Sequence, residues 1–491
     1  MLFNSTEFFI FFPVVVTLYF LMPFNRRWIV LLLASYYFYM SWKPAYALIL
    51  VASTLIDYTC GLMMGRYADE EKDKRRPWLY LSLLANLGTL LLFKYYNFFN
   101  ESARDIALTL NVPYAMPAFE LLLPMGISFY TFQTMSYSID VYNGRVKPEK
   151  HLGIFALFVS FFPQLVAGPI ERAGNLLGQL HVRHEFKYER VVAGLRRMAW
   201  GFFKKLVIAD NLALMVNAVY NNPADYDGIS HIIATIFFAF QIYCDFSGYS
   251  DIAIGAAQVM GFYLMENFRS PYFAKTIPEF WGRWHISLST WFRDYLYIPL
   301  GGNRVVKWRW YYNLFIVFLV SGLWHGASWT FVIWGALHGI YQIFGMATRP
   351  QRNALAQKAG LTQHPQLYKW VQVFTVFALV CFSWIFFRAN SISDAFYVVG
   401  QCFSVLTNPG QVFALNWSHD VFMEQGVKIF LTSVIAIAIM ETVHLIQRNG
   451  SVSQLIMRRP AFVRWGVYYL AIIAVLLFGQ FGNQEFIYFQ F

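Results

Sequence analysis

The chain has 491 residues, 58% of them hydrophobic, 20% aromatic and only 13% charged, with a net charge of +11. Soluble proteins carry about 25% charged residues, so this composition excludes a soluble enzyme and indicates a polytopic membrane protein. The basic residues are spread over many loops between apolar segments. Cytoplasmic loop bias and attraction to anionic lipid account for that spread better than nucleic-acid binding does.

The first apolar run, Phe8–Met22, has no basic region before it and no small-residue cleavage site after it, so it is not a cleavable signal. Glu7 precedes the run and Arg26-Arg27 follow it. This asymmetry favours an external amino terminus and a cytoplasmic first loop. Further apolar segments fall near 28–41, 45–65, 78–99, 119–142, 151–170, 206–220, 230–264, 311–346, 368–389, 427–446 and 464–481. A span needs about 20 residues, so about 10 to 12 spans are expected, the shorter runs being re-entrant. The runs 230–264 and 311–346 are long enough to include tilted or broken helices.

Arg66 to Arg76 holds five basic and four acidic residues and reads as a cytoplasmic loop. No linker divides the chain, so residues 1–491 read as one membrane domain. No inverted or parallel repeat of the transporter kind is visible. Cys60, Cys244, Cys381 and Cys402 lack a CxxC spacing and read as inert thiols rather than a disulfide frame. Lys94, Arg145 and Arg388, at the ends of apolar runs, read as snorkelling anchors.

Residues 187–206 form an amphipathic pattern. At about 100° per residue, Tyr188, Val191, Val192, Leu195, Ala199, Phe202, Phe203 and Leu206 share one face. Arg190, Arg197 and Lys204 lie opposite, with Lys187, Arg196 and Lys205 on the flanks. The pattern predicts an interfacial helix whose basic side meets anionic headgroups or docks a phosphorylated acyl donor. Asp245 and Asp251, six residues apart, sit about 120° apart round a helix and cannot form one carboxylate pair. They either bond internally between helices or line a polar cavity.

Thr276 to Glu279 fits a capping box, with Pro278 tolerated in the first turn. The expected helix runs to about Tyr297 and stops at Pro299 and Gly301-Gly302. On its wheel Trp281, Trp284, His285, Leu288, Phe292 and Tyr295 share a face, while Arg283, Thr290, Asp294 and Tyr297 lie opposite and Arg293 flanks them. A second helix is expected to open at His325, with Gly322, Ser328, Trp329, Val332, Ala336 and Gly339 on its face. Small residues there allow another helix to approach closely. His338 faces away by about 220° and reads as structural.

There is no HExxH, no cluster of metal ligands, no P-loop and no GxSxG elbow. What remains is two histidines on different elements that could converge inside the membrane. Each is alternatively a satisfied core histidine. Imidazole suits removal of a proton from a hydroxyl near neutral pH, and a thioester needs no metal to be acylating.

The motif segments FPQLVAGPIER (162–172), CDFSGYSDIAIG (244–255), FWGRWHISLSTWFRDYLYIPLGGNR (280–304) and SGLWHGASWTFVIWGALHG (321–339), with the opening MLFNSTEFFIFF and the closing FIYFQF, resemble membrane-bound O-acyltransferases of the alginate O-acetylation branch. The resemblance implies an all-helical fold of transmembrane, re-entrant and interfacial helices around a central tunnel, with a catalytic core near 120–346. It implies that His325, in the WHG motif, is the essential catalytic histidine and that His285 is the second active-site position. The same segments make Trp284, Ser289, Arg293, Asp294, Trp324, Ser328, Asp245 and Asp251 candidate substrate-binding residues. The implied reaction moves an acyl group, expected to be acetyl, from a cytoplasmic thioester such as acetyl-CoA to a hydroxyl on an exported polysaccharide such as alginate. No tightly bound cofactor and no metal are expected. A periplasmic SGNH-type acetyltransferase, polysaccharide machinery and membrane lipid are the implied partners, in a bacterial inner membrane. The competing readings are a transporter of acyl species or polymer without catalysis, and acylation of a lipid, a protein or teichoic acid.

Overall fold

Every span of this chain must satisfy its backbone internally, which in lipid leaves the helix as the local solution. The structure, a computed structural model, describes residues 1–119, 122–413, 415–447, 450, 452–481 and 486–487. Among the described residues all regular elements are helical. Seven helices are long and apolar enough to cross a membrane: Pro44–Met64, Lys72–Thr109, Gly228–Met260, Trp329–Ala347, Pro365–Arg388, Val427–Gln447 and Ala461–Phe478. Thr6–Leu21 is a shorter apolar helix. Several expected spans fold as shorter pieces: the run 119–142 becomes Ile127–Tyr142, 151–170 keeps only Leu152–Ser160 helical, and 206–220 ends as Asp210–Asn221. Gly228–Met260 is one helix of 33 residues, whereas 311–346 breaks at Gly326 into Lys307–His325 and Trp329–Ala347.

The chain folds into two compact units, Met1–Met198 with Ser250–Met265, and Ala199–Tyr249 with Glu266–Phe491. The first unit is held by polar residues buried between its helices. Asp57 on Pro44–Met64 accepts from Asn86 at 3.0 Å and meets the Ser82 hydroxyl, and Thr134 on Ile127–Tyr142 donates to Asn86 at 2.9 Å. Where hydrocarbon surrounds the protein, such contacts join helices that have no hydrophobic reason to associate.

The basic helix, Tyr188–Phe202, turns part of its basic face into the protein instead of toward headgroups, while Phe202 of the face read as apolar is buried. Tyr188 and Leu195 of the apolar face are exposed, at 71% and 47%. Arg197 turns inward and pairs with Asp251 at 2.9 Å. In the second unit Lys204 donates to Ser247 at 2.8 Å, and Lys205 lies between Asp210 at 2.9 Å and Asp245 at 2.8 Å. The sequence pattern identified two faces and set the basic one toward anionic headgroups or a phosphorylated donor. In lipid the apolar face can point out while the cations meet carboxylates within the protein.

Arg388 also departs from its expected role. It is buried and bonded to asparagines rather than snorkelling. Cys60, Cys244, Cys381 and Cys402 are free thiols, the first three buried.

Candidate active site

Both histidines belong to the second unit, and the elements that carry them differ from the expected helices. The Thr276 hydroxyl caps its helix by accepting from Glu279 N–H at 3.2 Å, as the capping box requires. The helix Ile277–Trp281 then stops, and a second one, Ile286–Phe292, begins after the break. His285 sits in the break with φ 43° and ψ 56°, the left-handed region. A non-glycine residue there costs about 1–2 kcal/mol and persists only when its surroundings hold it.

Asn267 supplies the hold. Its carbonyl accepts from Ile286 N–H at 2.9 Å, and its side-chain oxygen accepts from Ser287 N–H at 3.2 Å and the Ser287 hydroxyl at 2.9 Å. Arg269 N–H donates to the Arg283 carbonyl at 2.9 Å, which closes the other side of the break. The single-wheel arrangement from Trp281 to Tyr295 is therefore replaced by two short helices. The last segment, Arg293–Tyr297, winds more loosely as a π-turn.

His325 closes the helix Lys307–His325 rather than opening the next one, which starts after its cap Ser328. The two helices form a tight hairpin. A Cβ on Gly322 would lie 2.3 Å from the Phe331 carbonyl oxygen and 3.1 Å from Gly335 Cα. Glycine at both positions lets the backbones touch and seats His325 at the turn.

The imidazole rings of His285 and His325 lie 6.3 Å apart, centre to centre. Both are buried, 0% and 2% exposed. Trp324 stands 5.9 Å from His285 and 4.9 Å from His325. Phe246 meets His285 edge-on at 4.6 Å, while Trp334 and Phe387 meet His325 at 5.0 and 5.5 Å. Burial among these rings lowers the proton affinity of His285 and keeps it neutral.

The remaining candidates are dispersed. Trp284 packs on Trp384 at 5.2 Å and on Phe280 at 5.6 Å beside His285. Ser289 donates to the Trp284 carbonyl at 3.2 Å. Arg293, exposed, pairs with its neighbour Asp294 at 2.8 Å, and Ser328 caps a helix by accepting from Thr330 N–H at 3.3 Å. Asp245 takes Lys205 and also accepts from Ile487 N–H at 2.8 Å. Asp251 belongs to the first unit with Arg197. For both aspartates the structure realises the internal-bonding alternative.

His338 is structural. The Trp281 indole donates to its Nδ1 at 3.2 Å, so its proton lies on Nε2 and faces the Ser383 hydroxyl at 2.9 Å. Ser383 in turn donates to the Val380 carbonyl at 2.8 Å. Sequence reasoning missed Asn267, Phe246, Trp334 and Phe387. Only Asn267, a polar residue directly before Phe268, carried any signal.

No His, Cys, Asp and Glu group suited to a metal occurs among the described residues. Two imidazoles, one at a strained turn and one at a helix end, can together hold a hydroxyl and a carbonyl, which is the requirement of acyl transfer.

Residues 151–388 match the model of the membrane-bound O-acyltransferase family. The chain is 39% identical over 440 residues to the probable alginate O-acetylase AlgI of Pseudomonas aeruginosa, covering 89% of this chain and 81% of that protein. It is 36% identical over 437 residues to the peptidoglycan O-acetyltransferase of Helicobacter pylori, 81% of this chain and 79% of that protein. The teichoic acid D-alanyltransferase of Bacillus subtilis is 29% identical over 241 residues, 46% of this chain and 59% of that protein. On this likeness, and with its all-helical architecture, the chain belongs to the membrane-bound O-acyltransferase family, and is an acyltransferase of the multi-pass membrane class.

Proposed function

We propose that this acyltransferase moves an acetyl group from a cytoplasmic thioester, acetyl-CoA or an acyl carrier, to a hydroxyl destined for an exported polysaccharide. The observation that carries the reading is the 6.3 Å approach of His285 and His325. At that separation the two imidazoles share one place in the unit, where one can take a proton from a hydroxyl and the other can donate to a carbonyl oxygen.

His325 removes the proton as the hydroxyl oxygen attacks the thioester carbon. The negative end of the helix Lys307–His325 favours the positive charge that His325 gains. His285, neutral, donates to the developing oxyanion. Collapse of the tetrahedral intermediate breaks the carbon–sulfur bond, and the thiolate takes back the proton from His325. No proton is gained or lost overall, so the site needs no relay to solvent.

The names of the relatives support acetyl over D-alanyl. The two O-acetyl enzymes align across 89% and 81% of this chain, the D-alanyltransferase across 46%. A central tunnel would let a cytoplasmic donor meet an acceptor on the other side of the inner membrane, and a periplasmic SGNH-type protein would carry the acetyl group onward. The test is single-turnover transfer from labelled acetyl-CoA by the purified protein in nanodiscs. Transfer of D-alanine from a charged carrier, with none from acetyl donors, would replace this reading.

A further inference from the structure

The closing motif FIYFQF, residues 486–491, takes no part in the chemistry of the two histidines, yet its first two residues are buried in the same unit. Phe486 and Ile487 are each 2% exposed. Ile487 N–H donates to Asp245 Oδ2 at 2.8 Å. Asp245 Oδ1 lies 2.8 Å from the Lys205 ammonium, which Asp210 meets at 2.9 Å. All three charged residues are buried. A buried carboxylate is costly unless a cation and hydrogen-bond donors meet it. Ile487 supplies such a donor from 242 residues away, so the charge network fixes where the motif lies.

The pinned backbone sets a ring. Phe486 packs on Tyr249 at 4.8 Å and on Phe246 at 6.0 Å, centre to centre. Phe246 follows Asp245 in the helix Gly228–Met260, and its own ring meets His285 at 4.6 Å and Phe268 at 5.0 Å. Asn267 holds the main chain on either side of His285 but does not set the rotation of its imidazole. That task falls to the rings packed against it. Aromatic pairs at such separations favour tilted and edge-to-face geometry, and close packing keeps a ring in one rotamer.

We propose that the closing motif is part of the active site: Phe486, pinned through Ile487 to Asp245, backs Phe246 and so holds the His285 imidazole at the angle from which it donates to the oxyanion. The inference rests on the role given to His285 above. Both phenylalanines act through His285, so they are positioning residues. Asp245, a substrate-binding candidate in the sequence, has both oxygens engaged within the protein because it holds this motif.

Phe486→Ala removes the backing ring, and Ile487→Pro removes the N–H that Asp245 accepts. Each should slow single-turnover transfer from labelled acetyl-CoA by about tenfold and leave the half-saturating donor concentration within about twofold, since misplacing a reacting group by about 1 Å can cost about 100-fold. Phe486→Leu keeps most of the volume and should recover most of the rate. In a His285→Asn background Phe486→Ala should cost less than about twofold, because the imidazole it holds is gone. Magnetic resonance of the protein labelled in its histidines, in nanodiscs, gives a readout apart from activity. The His285 signal, identified by its absence from His285→Asn, should shift in Phe486→Ala and in Ile487→Pro while that of His338 stays. Equal losses from Phe486→Ala with and without His285, or an unmoved His285 signal, overturns the inference. A shifted signal in a protein that transfers nothing from acetyl-CoA would remove the acetyl reading and leave the positioning of the imidazole standing.

Discussion

The side-chain oxygen of Asn267 accepts from both the backbone N–H and the hydroxyl of Ser287, at 3.2 and 2.9 Å, two residues beyond the left-handed turn at His285. This contact turns a strained backbone into a defined position for an imidazole. The consequence is testable. Asn267→Ala removes the side-chain acceptor shared by two buried donors of Ser287, a loss of about 1–3 kcal/mol for each bond. It should lower kcat by about tenfold or more with little change in KM for the donor, because His285 loses its aim rather than its chemistry. Ser287→Ala removes only one donor and should cost less in both stability and kcat. A loss confined to KM would show that Asn267 binds substrate instead.

His325→Ala should abolish transfer while leaving expression, membrane insertion and thermal stability nearly unchanged. Loss of a general base costs about 10²–10⁴-fold. Acetylated polymer from a strain carrying only this variant would disprove the role.

The two histidines should respond differently to asparagine. An amide can donate to an oxyanion as neutral His285 does, and asparagine tolerates the left-handed backbone found there. It cannot act as a base. His325→Asn should therefore lose at least about 10²-fold more than His285→Asn, or about 1.4 kcal/mol of barrier per tenfold. Single-turnover transfer from labelled acetyl-CoA decides the matter, and equal losses would mean that the roles are misassigned.

Gly322→Ala should impair both folding and turnover, since its Cβ would sit 2.3 Å from the Phe331 carbonyl oxygen and force the hairpin apart beneath His325. Gly345→Ala is the control on the next helix, where a Cβ meets nothing within 4 Å. That change should be neutral or stabilising by up to about 1 kcal/mol through helix propensity. Thermal unfolding in detergent compares the two, and equal effects would deny the hairpin its part in seating His325.

The basic segment from Arg183 to Lys205 should face the cytoplasm, even though its inner cations are buried. Lys187 remains exposed. A Lys187→Cys variant should resist a membrane-impermeant thiol reagent applied from the periplasmic side of intact cells, and ready labelling would reverse the topology.

Composition and apolar runs by themselves determined the class of this protein, because lipid leaves few solutions for a backbone, and the helix meets its needs locally. The capping box at Thr276 was equally legible, since an N-cap depends on residues four apart at most. The two histidine motifs, His285 and His325, were recognisable as patterns. Their 6.3 Å meeting was not, because it depends on helices distant in sequence. Periodicity assumed an unbroken helix from Thr276 to Tyr297, and the tertiary hold of Asn267 and Arg269 makes the break at His285 stable. The same limit applies to charge. Spacing put the cations of residues 187–206 on one face, and carboxylates from a remote helix, Asp251 and Asp245, decided that this face turns inward. Arg388 read as an anchor because arginine at the end of an apolar run normally reaches water. What held it in the protein was a pair of asparagines, Asn217 and Asn221, on a helix 171 and 167 residues away, joined by the local Asn390, and no local pattern could have brought that pair to it.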